Sequence, residues 1–174
     1  MSNNENSTTT HRMIQTETAV FGGGCFWGVE ELIRSLPGVL KTEVGYCGGT
    51  ILNPVYEQVK TGRTGHAEVV KVDFNPHQIS FEQLLEQFFR LHDPTTLNQQ
   101  GNDIGTQYRS VIFFQTPEQE ITAQKVKEKV QQSGKWKNPV VTEITPMASF
   151  YRAEEYHQKY LVKNPNGYTC HFWR

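Results

Sequence analysis

The chain has 174 residues, of which 36% are hydrophobic and 20% charged, with a formal net charge of −1 at pH 7. That length holds one domain with a real core but not two ordinary ones, and the near-neutral balance gives no basic footprint for nucleic acid and no polybasic patch for a membrane surface. No apolar run approaches the ~20 residues of a membrane helix, and the opening MSNNENSTTTHRM lacks the basic-then-apolar order of a signal peptide, so a cytoplasmic protein is expected.

Residues 1–16 are polar and bury too little to offset their ordering entropy, so they are predicted to form a disordered tail ahead of a single domain over 17–174. Thr18 to Phe21 reads as a short strand. After the glycines a helix is predicted from Phe26 to Leu36, stopped by Pro37-Gly38. Val39 to Tyr46 reads as a strand, and 47–65 as a long loop. Ala67 to Phe74 alternates, with Val70, Val72 and Phe74 on one face and Lys71 and Asp73 on the other. Ser80 and Gln83 form a capping box, stapled by Ile79 and Leu84, ahead of a stripe of Phe81, Leu84, Leu85, Phe88 and Phe89. Asp93-Pro94 ends that helix. Residues 94–107 are polar and turn-rich. Arg109 to Phe114 reads as a central strand. Thr116-Pro117 with Gln119 opens a helix with Ile121, Val126 and Val130 inward and Gly134 as its stop. Val140 to Ile144 is a further predicted strand, Ala153 to Val162 a short helix, and NPNGYTCHFWR an irregular end. The pattern fits a two-layer α+β sandwich, helices packed on a mixed sheet.

The chemistry-bearing stretch is GGGCFWG, residues 22–28. Cys25 falls where a strand becomes a helix, and unpaired N–H groups with the helix dipole favour an anion there, which predicts a lowered thiol pKa. Phe26 and Trp27 cannot both enter the core from one turn, so at least one is expected to wall a small apolar group beside the sulfur. A glycine run before a helix also raises phosphate binding, but no G-K-[ST] follows and no acidic ribose ligand stands on cue. Glu68 shares parity with Val70 and Val72, which places its carboxyl on the apolar face, where it resists ionising and can act as an acid. His66-Ala67-Glu68 matches half of a zinc deaminase signature whose P-C-x-x-C half is missing. The six histidines show no metal-ligand spacing, so no metal is expected. A cysteine–histidine hydrolase using His66, His157 or His171 as base stays open, as does a non-catalytic redox-sensing module. Cys25, Cys47 and Cys170 make an odd number with no C-x-x-C, which is not a disulfide framework. Cys170 lies in a stretch expected to be mobile, where a thiol can swing onto an oxidised partner.

GCFWG at 24–28 closely resembles the active-site motif of the peptide methionine sulfoxide reductase A family. GYCGG at 45–49, NPVYEQV at 53–59, TGHAEVV at 64–70, GNDIGTQYRS at 101–110 and the NPNGYTCHFWR end follow in that family's order, so the likeness covers about residues 18–174. The resemblance implies a ferredoxin-like α+β sandwich and a cytoplasmic, monomeric enzyme that repairs oxidised proteins by reducing the S-epimer of methionine sulfoxide, free or protein-bound. It implies that Cys25 attacks the sulfoxide sulfur, that Phe26 and Trp27 hold the substrate methyl group, and that Glu68 protonates the sulfoxide oxygen. Tyr56 and Tyr108 would hydrogen-bond that oxygen, and Asp103 would arrange the polar side. No bound cofactor is implied. Cys25 would pass through a sulfenic acid to a disulfide with Cys170, reduced by thioredoxin or another external dithiol. Many members carry a second recycling cysteine beyond a glycine-rich tail; this chain stops at Arg174, so one resolving step is expected. Cys47 takes the variable position of the GY-x-GG turn and is read as a structural substitution.

Overall fold

The computed structural model describes residues 15–174; residues 1–14 of the predicted tail lie outside the described residues. Alternating β-branched and aromatic residues build β1 (Glu17–Gly23), β2 (Val39–Cys47) and β3 (Ala67–Phe74), while apolar stripes at helical spacing build α1 (Phe26–Arg34) and α3 (Phe81–Arg90). A one-turn helix α2 (Tyr56–Val59) interrupts the loop after β2. Next come a small hairpin of β4 (Gln99–Gln100) and β5 (Asp103–Ile104), then β6 (Ser110–Phe114), α4 (Pro117–Gln132), β7 (Glu143–Pro146), β8 (Phe150–Arg152) and α5 (Tyr160–Lys163).

The main sheet has the order β7-β6-β1-β3-β2-β8 and is antiparallel except for the parallel β6–β7 pair. Its central strands β6-β1-β3-β2, joined through α1 and α3, are the split βαβ arrangement of a ferredoxin-like α+β fold, as the sequence predicts. Parity divides the strands between two apolar clusters. Ala19, Phe21, Val44, Tyr46, Val70, Val72 and Ile112 join the helices in the main core, while Val20, Cys47, Ala67, Val69, Val111 and Phe113 form a smaller cluster on the other face. Among the described residues no helix is long and apolar enough to cross a membrane.

Three predicted elements are redrawn. Ile121 is 69% exposed, because the inward face of α4 is the 119-123-126-130 row: Gln119, Ala123 and Val126 are buried and Val130 packs against them. The strand predicted over Val140 to Ile144 begins only at Glu143, because Val141 N donates to the Pro94 carbonyl and Thr142 bonds Ser110 through its side chain. The helix predicted from Ala153 is broken into a 3-10 turn (Glu155–His157) and α5. Two buried side chains break it. Gln158 exchanges hydrogen bonds with both backbone groups of Val44, at 2.9 Å each, and Glu30 accepts from Lys159 N at 2.6 Å, holding Lys159 left-handed at φ 49°.

The capping box at α3 is present in full: Gln83 N donates to Ser80 Oγ at 3.1 Å and Ser80 N donates to Gln83 Oε1 at 2.9 Å. Ser80→Ala is expected to cost about 1 kcal/mol of stability, read as a lowered urea midpoint at unchanged slope.

Candidate active site

Cys25 stands at the N-cap of α1, with φ −55° and ψ 123°, and makes no side-chain capping bond. The chain reaches it through Gly24, whose φ of +99° puts the turn in the left-handed region where glycine carries no steric penalty. The first free N–H of α1 is satisfied from another element: Phe26 N donates to Glu68 Oε1 at 3.1 Å. Glu68 is the second residue of β3 and pairs with Tyr46 on β2, so the strand register alone sets its carboxyl under the helix start.

A pocket of about 110 Å³ opens there, lined by Cys25, Phe26, Trp27, Tyr56, Glu68, Asp103, Tyr108 and Tyr168. Seven of these are residues that the sequence singles out; Tyr168 is not. A larger groove of about 560 Å³, lined by Thr16, Glu17, Phe81, Gln115 and Glu118 among others, holds neither cysteine nor histidine, so the smaller pocket is the candidate site.

The aromatics divide as the sequence requires. Phe26 is fully buried in the main core against Tyr46, and Trp27 remains partly exposed along the pocket. The Trp27 indole is fixed on two sides. Its Nε1–H donates to His157 Nδ1 at 2.9 Å, and its face stacks on Tyr160, with ring centroids 3.7 Å apart and planes 9° from parallel. Tyr56 opens α2, where its backbone N–H donates to Glu154, which also accepts from Tyr46 Oη. Asp103 begins β5, and its Oδ2 accepts from Tyr168 Oη at 3.3 Å. Tyr108 ends the 3-10 turn over Thr106–Tyr108.

Burial dominates the electrostatics. It lifts the Glu68 carboxyl to about 8, against the opposing Phe26 N–H bond and with help from the nearby Asp103 charge. Glu68 is therefore largely protonated at neutral pH. Tyr56 is pushed up to about 12 and Tyr108 also upward by burial, so both phenols keep their protons. The thiol expectation is reversed. Burial first, then the charges of Glu68 and Asp103, raise Cys25 well above an ordinary thiol, outweighing the backbone N–H of Trp27. The helix terminus does not prevail because burial of the sulfur outweighs it.

The three histidines offered as bases are occupied elsewhere. His66 accepts from Gly49 N at Nδ1 and reaches the Ile51 carbonyl with Nε2; His157 holds Trp27; His171 Nε2 lies 2.7 Å from the Gly23 carbonyl oxygen. Those bonds leave the hydrolase reading without a base directed at Cys25. Cys47 is buried, its Sγ 3.7 Å from the Ala148 carbonyl. Cys170 lies outside the pocket lining, with its Sγ 3.9 Å from Asp103 Oδ2 on the pocket's polar side. Glu154, Tyr160 and Tyr168 are supporting residues that sequence reasoning misses, and His157, singled out as a base, instead holds Trp27. A signal for Glu154 and Tyr160 exists only in the crowding of Glu, Tyr and His over 154–160, which reads equally well as an amphipathic helix.

The family model described as peptide methionine sulfoxide reductase matches residues 17–174. A relative from Methanoculleus marisnigri, named peptide methionine sulfoxide reductase MsrA, is 57% identical over 157 residues, covering 90% of this chain and 96% of its own. The reduced form of Mxr1 from Saccharomyces cerevisiae matches with a TM-score of 0.87 at 41% identity, covering 92% of this chain and 93% of that one. The same yeast protein in complex with Trx2 matches with a TM-score of 0.63 at 28% identity, covering 97% and 96%.

The carboxyl carbon of Glu68, followed by carbon-13 NMR, is expected to titrate near pH 8. Asp103→Asn removes a neighbouring negative charge, so the midpoint is expected to fall; an unmoved midpoint would separate the two carboxyls.

Proposed function

This chain belongs to the peptide methionine sulfoxide reductase family, and we propose that it reduces the S-epimer of methionine sulfoxide, free or in oxidised proteins, with Cys25 as nucleophile and thioredoxin as the final reductant. The observation that carries the chemistry is the Glu68 carboxyl, buried and held proton-bearing on the wall of the same pocket as the Cys25 sulfur.

A sulfoxide oxygen leaves sulfur poorly until it is protonated. Glu68 gives that proton, while the Tyr56 and Tyr108 hydroxyls donate hydrogen bonds to the oxygen, stabilise the charge gathering there and leave the sulfur more electrophilic. Phe26 and the face of Trp27 hold the methyl group. The Cys25 sulfur then bonds to the substrate sulfur, and its thiol proton replaces the one Glu68 gave away. When the oxygen has passed to Cys25, the products are methionine and a Cys25 sulfenic acid. Asp103 orders the polar wall through Tyr168.

Cys170 is the resolving thiol in this reading. It attacks the sulfenic sulfur, water leaves, and the resulting disulfide passes its oxidation to an external dithiol. Yeast Mxr1 in complex with Trx2 supports thioredoxin in that role. Mobility of the segment around Cys170 belongs to the same reading, because the disulfide requires Cα atoms roughly 4.4–6.8 Å apart.

Dithiothreitol-driven reduction of a blocked methionine sulfoxide, run on separated epimers, is expected to consume the S form alone and to stop in Cys25→Ser. Turnover by a well-folded Cys25→Ser protein would remove the nucleophile. The first-turnover rate is expected to fall as pH rises through about 8, because Glu68 then loses the proton it must give; the Cys25 thiol titrates above that point and does not offset the loss. Glu68→Gln is expected to lower that rate roughly a hundredfold and to flatten the profile. Cys170→Ser is expected to release one methionine per protein and then stall with thioredoxin.

A further inference from the structure

His171 has a lodging that the first half of this chemistry does not use. Its ring is buried beside both ends of the GGGCFWG stretch. A carbonyl oxygen can only accept, so the 2.7 Å contact with Gly23 places the ring hydrogen on Nε2. In the neutral ring Nδ1 is then an acceptor, and it stands 3.8 Å from Cys170 Sγ. The space the ring occupies is made by two glycines. A β-carbon on Gly24 would lie 3.0 Å from Nε2, and one on Gly28 would overlap Nδ1 and the Thr169 hydroxyl. Thr169 Oγ1 accepts from His171 N at 3.1 Å, which stiffens the backbone on either side of Cys170. Beyond the ring, Arg174 ties the end of the chain to Arg90 and Leu91.

The residue after Cys170 is therefore keyed to the residue two before Cys25, through a slot open only because positions 24 and 28 have no side chain. We propose that His171 is a positioning residue of the resolving half-reaction: its ring is the pivot that sets Cys170 in register with the Cys25 sulfenic acid. The inference rests on Cys170 being the resolving thiol. In that step the Cys170 sulfur bonds to the Cys25 sulfur, the S–O bond of the sulfenic acid breaks, and the thiol proton leaves with the oxygen as water. Cys170 is oxidised and the Cys25 sulfur is reduced, with no other co-reactant. The site demands register because a disulfide tolerates only a narrow range of separations and torsions. Burial keeps the ring neutral, with a pKa of about 4, so Nδ1 remains an acceptor toward the thiol across the working range.

The test uses reduced full-length protein mixed with a methionine sulfoxide peptide and no reductant, so that each half-reaction is read once. Methionine formed, with the first free thiol lost, reports the first, and loss of the second thiol reports the second. In His171→Ala the methionine burst is expected within about twofold of wild type, while this second thiol loss slows about tenfold, the effect of losing one buried hydrogen bond. His171→Gln can set its amide N–H where Nε2 stood, on the Gly23 carbonyl, and is expected to recover thiol loss to within about threefold of wild type. Wild-type thiol loss in His171→Ala, an equal fall of both half-reactions, or a Gln variant no better than Ala would each overturn the assignment. Should His171→Ala fail to fold, Gly28→Ala displaces the ring from the other side and is expected to give the same split; unchanged thiol loss there counts against the pivot. Cys170→Ser runs beside them. If it still loses two thiols per protein, the resolving role of Cys170 has failed, which is a different result from His171 failing with Cys170 intact.

Discussion

The hydrogen bond from Phe26 N–H to Glu68 joins the two halves of this protein's logic. A helix that starts at a cysteine must satisfy its first N–H groups, and here Cys25 makes no side-chain cap. A carboxyl from a neighbouring strand does it instead. The same contact stations a buried acid in the pocket with the sulfur, and burial, against the pull of this bond, keeps the proton on near neutrality. Remove it and the helix loses its start, the acid its address and the thiol its neighbour. The sheet order, with β3 between β1 and β2, brings strand and helix together from distant parts of the sequence.

Around that bond the protein spends buried polar groups to hold aromatic ones. Glu30, Gln158 and Glu154 lie away from the reacting centre. Glu30 and Gln158 fix the broken segment that presents His157 and Tyr160 to Trp27, and Glu154 seats Tyr56. Each such group must be fully partnered, since an unmet polar atom in the interior costs about 1–3 kcal/mol. Among the described residues His157 is one of three exceptions, with Gln107 and Trp136: its Nε2 is buried without a partner even though Nδ1 serves the indole. Rigid placement of the pocket walls is what this expense supplies, in keeping with a site whose catalysis depends on preformed donors.

Much of this was legible in the residues. The strand over Ala67 to Phe74 has the predicted bounds, and its parity placed Glu68 on the core face, which located the acid and the direction of its pKa from alternation alone. The aromatic pair after Cys25 divided as one helical turn demands. The misses have physical causes. Ile121 was assigned inward by hydrophobicity, but an alanine and a glutamine occupy the rows that geometry turns to the core. The state of the Cys25 thiol is not legible locally, because the burial that raises it, and the Glu68 carboxyl that adds to it, come from tertiary packing. Tyr168, His157 and Tyr160 reach the site through tertiary contacts with no periodic trace. Without the family likeness, Tyr56, Tyr108 and Asp103 would have been unremarkable loop residues.

The fixed indole of Trp27 has a geometric consequence. With one face covered by Tyr160 and its edge tied to His157, the ring cannot turn over, so the apolar wall stays on one side of the pocket while the phenols and carboxyls hold the other. The nucleophile occupies a third direction. Three unlike walls that cannot exchange places make the cavity itself chiral. On the proposed reading, a pyramidal sulfur bearing a methyl group, an oxygen and a chain would meet all three in only one of its two mirror forms. In the proposed reaction, the handedness then rests on a stacking contact between two side chains away from the oxygen being removed.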